Sequence, residues 1–263
     1  MRALPTVVLI ILCFLSVGTA DARLLEAKIE HSESMEPLSP NLQPGATFSN
    51  DNLPGAVQKN LGDWYKIPAW LGGVWHSERQ TDYESYSYQT NVTDNTPRVR
   101  VARSDGRWGI QKDSHGNIWQ YDPVPYTESI DAGDEIVMQI VRIAESLELG
   151  DDRFGRRSIN TQIRVDKATG TIKASETGEE ISYYIPQSEV MVKVETSSKV
   201  FDSMGRAVLL GKSVSYESRL LPFQEQDIYR GKDMKALFLQ YLKQSGSTEL
   251  PPSQALWKLC DAK

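Results

Sequence analysis

Most of this chain, from about residue 64 onward, consists of short segments in which apolar and polar residues alternate. Alternation of period two gives a β-strand one apolar and one polar face. The intervening stretches, such as Ser104-Asp105-Gly106 and Glu176-Thr177-Gly178, contain glycines that suit the left-handed positions of hairpin loops. No helical period separates the segments, so the pattern predicts a mainly β, antiparallel meander. The segments are 74–83, 98–102, 107–111, 118–121, 135–144, 158–165, 171–174, 181–185, 190–200 and 207–219.

A meander of this length is expected to curl, because an open sheet leaves two exposed edges and closure removes them. The predicted architecture is therefore a barrel of roughly 8–10 strands.

The chain begins with an apolar run at 3–18, preceded by Arg2 and followed by Ala20-Asp21-Ala22, a small-x-small cleavage pattern. Residues 1–22 are predicted to be a secretory signal peptide, and the protein to be secreted or periplasmic. An uncleaved anchor is the alternative, although the run is short for a membrane span. After cleavage the protein is expected not to be integral to a membrane.

Residues 23–60 are rich in Ser, Pro, Asn and Glu and lack an apolar period, which predicts a flexible tether. From Trp64 the composition changes to aromatic and β-branched residues. The β-barrel domain is therefore assigned to 61–263, including a C-terminal helix at 232–245.

Composition limits the partners. Cleavage of the leader removes Cys13 and leaves only Cys260, so no internal disulfide can form. The net charge of −6 disfavours a nucleic-acid partner. A small molecule or a protein is the expected partner, and the oligomeric state is left open.

The segment 232–245 carries one apolar stripe at helical spacing, which predicts an amphipathic helix that packs on the domain. Gly246 follows where a C-terminal cap belongs. A second short helix is predicted at 253–259. The stripe consists of Met234, Leu237, Phe238, Tyr241 and Leu242.

The segment Trp70-Leu71-Gly72-Gly73-Val74-Trp75 opens the strand series, and a helix follows its last strand. The chain resembles the calycins, that is, the lipocalins and their relatives, in two features: the order of aromatic segment, strands and helix, and the Gly73-x-Trp75 tripeptide. The resemblance implies a barrel whose floor is closed by an arginine of the last strand lying across the tryptophan, and Arg219 is the best-placed counterpart, ahead of Arg230. The chain departs from the family in having Leu71 where an Asn is usual and in lacking disulfides.

No spacing of catalytic residues is found: the chain has no Gly-x-Ser-x-Gly elbow, phosphate loop or dinucleotide fingerprint, and no cofactor or metal is expected. His76 and Glu78 share one face of a strand, where they either form an acid–base or metal pair or face solvent. The cluster of Arg153, Arg156 and Arg157 either receives an anion at a loop tip or is neutralised by neighbouring aspartates.

Strand alternation provides candidate ligand contacts. If Trp75 points inward, Arg79 and Tyr83 do so too, which indicates a ligand with an anionic or hydrogen-bonding head group. The alternative is that Arg79 lies on the surface. Trp108, Trp119 and Tyr121 supply aromatic rings that serve either as a ligand wall or as core.

These patterns favour an exported, non-enzymatic lipocalin-like protein that encloses a small amphipathic ligand, with an anionic head group if Arg79 points inward. Two alternatives stay open. One is an isomerase, lyase or hydrolase on the same barrel, using Arg79, Tyr83 and His76. The other is an envelope or extracellular interaction module without a pocket. The sequon at Asn91 permits glycosylation in a eukaryotic host.

Overall fold

The computed structural model describes residues 30–49, 51 and 63–245, which contain fourteen β-strands, two short 3-10 turns and one α-helix. The expectation of a mainly β protein with a C-terminal helix is confirmed. The strands are β1 Asp63–Ile67, β2 Gly73–Ser87, β3 Val92–Asp94, β4 Arg98–Trp108, β5 Gln111–Lys112, β6 Ile118–Asp122, β7 Tyr126–Ala132, β8 Glu135–Leu149, β9 Phe154–Asp166, β10 Ile172–Ser188, β11 Met191–Asp202, β12 Ala207–Pro222, β13 Ile228–Tyr229 and β14 Lys232–Asp233, and the helix is α1 Met234–Gln244.

Nine strands form one antiparallel sheet. Its order is β2, β12, β11, β10, β9, β8, β7, with β3 and β4 pairing along different lengths of the free side of β2. Strands β7 to β12 are consecutive hairpins. The alternation predicted segments within β8 to β12 but not β7. The hairpin loops expected at Ser104-Asp105-Gly106 and Glu176-Thr177-Gly178 are wrong, because Gly106 and Gly178 continue to pair with neighbouring strands inside β4 and β10. The last long strand, β12, returns to pair with the first long strand, β2.

The two edges of this sheet are β4 and β7. No strand pairing joins them within the described residues, so the predicted closure of the barrel is not seen. Both edges carry exposed charged side chains, including Arg98 and Arg103 on β4 and Glu128 and Asp131 on β7. Charged edge residues discourage pairing with another strand, so these edges are protected without closure.

One face of the sheet, here called the inner face, carries a large apolar cluster at one end. Strand β2 contributes Trp75, β10 contributes Tyr184 and β11 contributes Val192 and Val194. A small three-stranded sheet, β1-β6-β5, packs Ile67 and Ile118 among other residues into the same cluster. This cluster, here called the floor, closes that end of the inner face.

Helix α1 packs on the three-stranded sheet. Its residues Met234, Phe238 and Leu242 are fully buried against Trp64, Ile110, Trp119 and Tyr121. The Asp233 side chain caps the helix by accepting a hydrogen bond from the backbone N–H of Ala236 at 2.9 Å. The predicted helix is therefore present, whereas Gly246 and 253–259 lie outside the described residues.

Residues 30–49, here called the strap, lie across the opposite, outer face of the sheet. Their backbone N–H groups at Met35 and Leu38 donate to the carbonyls of Gly205 and Ser203 at 3.0 and 2.9 Å. Leu38 and Leu42 are buried with Met138, Ile140, Ile163, Val165 and Ile172. The structure differs here from the expected flexible tether, because backbone hydrogen bonds and two apolar anchors hold a segment that has no apolar period.

The start of the strap covers a buried carboxylate, Glu179 of β10. This side chain accepts hydrogen bonds from the backbone N–H of Ser32 at 2.7 Å and from Arg157 Nε at 2.7 Å, and lies 3.2 Å from His31 Nδ1. Burial opposes its charge, but these donors outweigh burial and lower the pKa of Glu179. The strap is thus attached at this end through charge-assisted hydrogen bonds.

Candidate ligand site

Beyond the floor, the inner face becomes polar. Ser215 of β12 lies opposite Val194 of β11 and Gln80 of β2, and Ser213 lies opposite Thr196 and Asp82. Small hydroxyl side chains leave space that aliphatic residues would fill, and they supply hydrogen-bonding groups. The far end of the inner face therefore has the composition of a polar binding surface rather than of a packed core.

A cavity of about 400 Å³ opens at this end, here called the mouth. Its size is within the range of small-molecule sites. Strands β2, β4, β11 and β12 all contribute to its walls, which include Gln80, Asp82, Arg98, Arg100, Leu209 and Ser213.

Charged side chains at the mouth are paired with one another. Arg100 Nε lies 2.6 Å from Asp82 Oδ2, and Arg98 forms an ion pair with Asp94. Exposed pairs of this kind stabilise little, but they neutralise each other. The mouth thus has no strong preference for a ligand of either charge.

Deeper inside, Arg156 of β9 and Tyr65 of β1 converge on Asp122 of β6. Tyr65 Oη donates to Asp122 Oδ2 at 2.7 Å, and Arg156 Nη2 donates to the same oxygen at 3.2 Å. Burial opposes the charge of Arg156, but attraction to Asp122 outweighs it and raises its pKa. Arg156 was expected at a loop tip, either binding an anion or neutralised by neighbouring aspartates. Both expectations are wrong, because Arg156 lies within the sheet and pairs with a carboxylate from another strand.

Glu217 of β12 is the most perturbed acid of the inner face. It lies opposite Val192 of the floor and the buried Ser77. Burial raises the pKa of Glu217 to about 7. No hydrogen bond or ion pair joins its carboxyl to the other described residues. Burial, followed by the nearby charge of Glu217, also raises the pKa of Tyr184.

The Gly73-x-Trp75 segment sits at the floor in the arrangement that the family resemblance implies. The guanidinium carbon of Arg219 lies 4.6 Å from the Trp75 ring centroid, and an Arg219 amino group donates to the Trp70 carbonyl. Gly73 has φ +142°, and an added Cβ would come within 2.5 Å of the Leu221 carbonyl oxygen. Only glycine fits this position, so Gly73 and Trp75 are structurally constrained.

Arg79 and Tyr83 do not share the face of Trp75. One extra residue of β2 lies between the pairs Ser77↔Glu217 and Gln80↔Ser215, and this bulge reverses the alternation. Arg79 is exposed opposite the exposed Val101, and Tyr83 lies at a second register shift and is also exposed. An unbroken period of two would place both side chains on the face of Trp75, but bulges do not preserve that period.

The three predicted aromatic contacts lie in the core. Trp108 stacks edge-on against Phe154 and Tyr184 in the floor. Trp119 and Tyr121 are buried in the cluster beneath α1. Of the five predicted ligand contacts, the structure brings none to the mouth, which instead uses residues that the sequence analysis did not select.

His76 and Glu78 lie on the outer face of β2. His76 Nδ1 is 2.6 Å from Asp105 Oδ1, and its Nε2 is 3.7 Å from Glu78 Oε1, with all three side chains partly or largely exposed. Within the described part of the chain, no three His, Cys, Asp or Glu side chains are grouped to hold a metal ion.

The sequence contained one indication that Glu217 faces inward. The family resemblance places Arg219 at the floor, and a strand of period two puts Glu217, two residues away, on the same face. No comparable signal marked Asp82 or Arg98, because their positions depend on bulges and on the pairing of β4.

Comparison with protein-family models and with curated proteins gives no match for this chain. Among residues 30–49, 51 and 63–245, no helix has both the length and the apolarity needed to cross a bilayer.

Proposed function

We propose that this chain is an exported, non-enzymatic protein of lipocalin-like design that binds a small polar or amphipathic molecule on the inner face of its sheet. The observation that carries the proposal is the cavity of about 400 Å³ at the mouth, reached by polar side chains from four strands. The floor beneath it is apolar and packed, so a ligand would not enter from that end.

The strand order supports the lipocalin-like part of the proposal. The succession β2, β4, β7, β8, β9, β10, β11, β12, with β12 next to β2, is that of an eight-stranded up-and-down barrel that is open between β4 and β7. The contact of Arg219 with Trp75 adds a second feature in common. Export is proposed from the leader at 1–22, which lies outside the described residues.

The anionic head group expected from Arg79 is not part of this proposal. Arg79 is exposed on the outer face, and the mouth arginines are each paired with an aspartate. The polar character of the ligand is inferred instead from the serines and charged residues of the inner face.

Native mass spectrometry of protein purified from the organism that produces it tests the proposal. We expect a co-purified small molecule that is released by denaturation. Leu209→Trp, at the mouth, should reduce its occupancy, whereas Leu220→Trp, exposed near the other end of the same strand and outside the cavity lining, should not. An empty protein that also fails to bind components of a host extract would contradict the proposal.

A second candidate, an enzyme on the same sheet, is supported by the raised pKa of Glu217 beside Tyr184. Partly buried acids with a raised pKa perform proton transfer in many enzymes. The residues first considered for this role, Arg79, Tyr83 and His76, lie on the outer face. Chemical conversion of the extracted ligand by wild-type protein but not by Glu217→Gln would favour this candidate.

A further inference from the structure

We propose that the ligand carries a protonated amine and that Glu217, which lies on the inner face between the mouth and the floor, binds this amine. This inference rests on the proposed binding function. It concerns the part of the inner face between the mouth and the floor, where Ser77, Ser215 and Tyr184 surround Glu217.

The position of Glu217 supports this assignment. Its neighbours across the sheet are Ser77, which is 5% exposed, and Val192, which is 1% exposed. Ser215 lies two residues along the same strand, between Glu217 and the mouth residue Ser213. The cavity lining on β12 ends at Ser213, so a ligand contacts the carboxyl of Glu217 when it extends from the mouth along β12 past Ser215.

The charge of this region also favours a cation. Glu180 of β10 faces the same side and accepts a hydrogen bond from Ser182 at 3.2 Å. Neither Glu180 nor Glu217 forms an ion pair with a described residue. Two carboxyls without cationic partners create a negative potential, which a bound ammonium group would offset.

The cations of the inner face are already engaged. Arg98 and Arg100 pair with Asp94 and Asp82. Lys212, which also lines the mouth, pairs with Glu84. Elsewhere on this face Arg156 donates to Asp122, Arg164 pairs with Glu135, and Arg219 lies over Trp75 and donates to the Trp70 carbonyl. A ligand carboxylate would have to displace one of these contacts, whereas an ammonium group finds Glu217 without a partner.

Neighbouring groups complete the site. An ammonium group donates three hydrogen bonds. Ser77 and Ser215 offer hydroxyl oxygens on either side of Glu217, and Tyr184 offers a phenolic oxygen close enough for its pKa to respond to Glu217. A primary amine is therefore a better match than a quaternary one, which has no hydrogen to donate.

Three probes of the same shape and different charge test this assignment: phenethylamine, phenylethanol and phenylacetate. Binding is measured by calorimetry and by the fluorescence of the buried tryptophans, with wild-type protein, Glu217→Gln and the control Glu189→Gln. Glu189 lies exposed in the turn between β10 and β11. We expect wild-type protein and the control to bind phenethylamine at least about tenfold more tightly than phenylethanol, as a charge-assisted hydrogen bond implies. Glu217→Gln should lose this preference.

A second measurement uses wild-type protein alone and so does not depend on the variant folding. Binding of an ammonium group favours the ionised carboxylate, so phenethylamine should release protons near pH 6, and calorimetry in buffers of different ionisation enthalpy detects this release. Phenylethanol should release none.

The outcomes separate this inference from the proposed function. Equal binding of phenethylamine and phenylethanol, tighter binding of phenylacetate, or absence of proton release would overturn the amine assignment but leave a ligand cavity in place. If none of the three compounds binds at millimolar concentration, the assignment of an amine ligand is also contradicted. Only an empty protein that takes up nothing from a host extract overturns the proposed function.

Discussion

Arg219 covers the indole of Trp75, with 4.6 Å between the guanidinium carbon and the ring centroid. This contact joins the last long strand of the sheet to the first, directly above the residues that close the floor. Trp75 is 1% exposed, and its Nε1 donates to the Leu71 carbonyl at 2.7 Å. The indole is therefore held on one face by Arg219 and at its polar atom by the Leu71 carbonyl.

Trp75→Ala should lower the free energy of unfolding by about 3–5 kcal/mol, because it removes a fully buried aromatic ring and leaves a cavity in the floor. Urea denaturation measures the change. Trp70→Ala is a useful comparison, since Trp70 is only partly buried and should cost less. Equal losses for the two variants would contradict the central position assigned to Trp75.

Glu217→Gln should stabilise the protein at neutral and alkaline pH. Burial raises the pKa of Glu217 from 4.5 to about 7, so the folded state binds a proton that the unfolded state releases between these values. The gain should be near zero at pH 4, grow as the pH rises, and reach at most about 3 kcal/mol above pH 7. Denaturation of both proteins across this range measures it, and a gain that does not depend on pH would argue against a buried carboxyl.

Phe238→Ala should destabilise the protein by about 3–5 kcal/mol, because Phe238 is fully buried between α1 and Trp64. Lys235→Ala, on the exposed side of the same helix, should change stability by less than about 0.5 kcal/mol.

Truncation after Gly231 should expose the apolar surface beneath α1 and promote aggregation, which light scattering detects. A soluble truncation of unchanged stability would show that α1 contributes nothing to the core.

Sequence pattern predicted the elements that depend on local periodicity. The segments predicted within β8, β9, β11 and β12 and helix α1 each carry their signal over eight or more consecutive residues of the chain, and α1 packs the apolar stripe that its period predicted. The position of Arg79 was not predictable in this way, because an extra residue in β2 reverses the face of the residues that follow it, up to the second register shift at Tyr83.

The strap and the mouth were missed for a related reason. Leu38 and Leu42 are isolated apolar residues in a segment rich in Pro and Ser, and their partners on β8 and β9 lie more than ninety residues away. Asp82 meets Arg100 only because β4 pairs with β2 in one register. Contacts of this kind arise from tertiary structure and leave no period in the sequence.

Gly205→Ala should displace the strap. Gly205 has φ +77°, and an added Cβ would collide with the Met35 carbonyl oxygen. Gly133→Ala is a matched control, since Gly133 has φ +78° but no atom within 4 Å of an added Cβ. Both variants should lose about 1–2 kcal/mol from left-handed backbone strain, and only Gly205→Ala should make 30–49 sensitive to protease. Equal sensitivity of the two would mean that the strap does not depend on this close approach.

Acid should weaken attachment of the strap through His31. Burial lowers the pKa of His31 below its ordinary 6.5 and outweighs the attraction of Glu179, while Lys199 and Arg157 lower it further. A detached strap therefore binds a proton more readily than an attached one, and attachment weakens as the pH falls below about 6.5. Glu179, with its lowered pKa, adds a further loss once the pH falls below its ordinary 4.5.

Hydrogen exchange at the amides of Met35 and Leu38, corrected for the intrinsic effect of pH, measures this attachment. Protection should decrease between pH 7 and pH 5 in wild-type protein and in the control His76→Gln, whose histidine lies on β2 away from the strap. His31→Gln cannot take up the proton, so its protection should stay level over this range even if attachment is weaker throughout. A decrease of the same size in His31→Gln would show that His31 is not the group that couples the strap to pH.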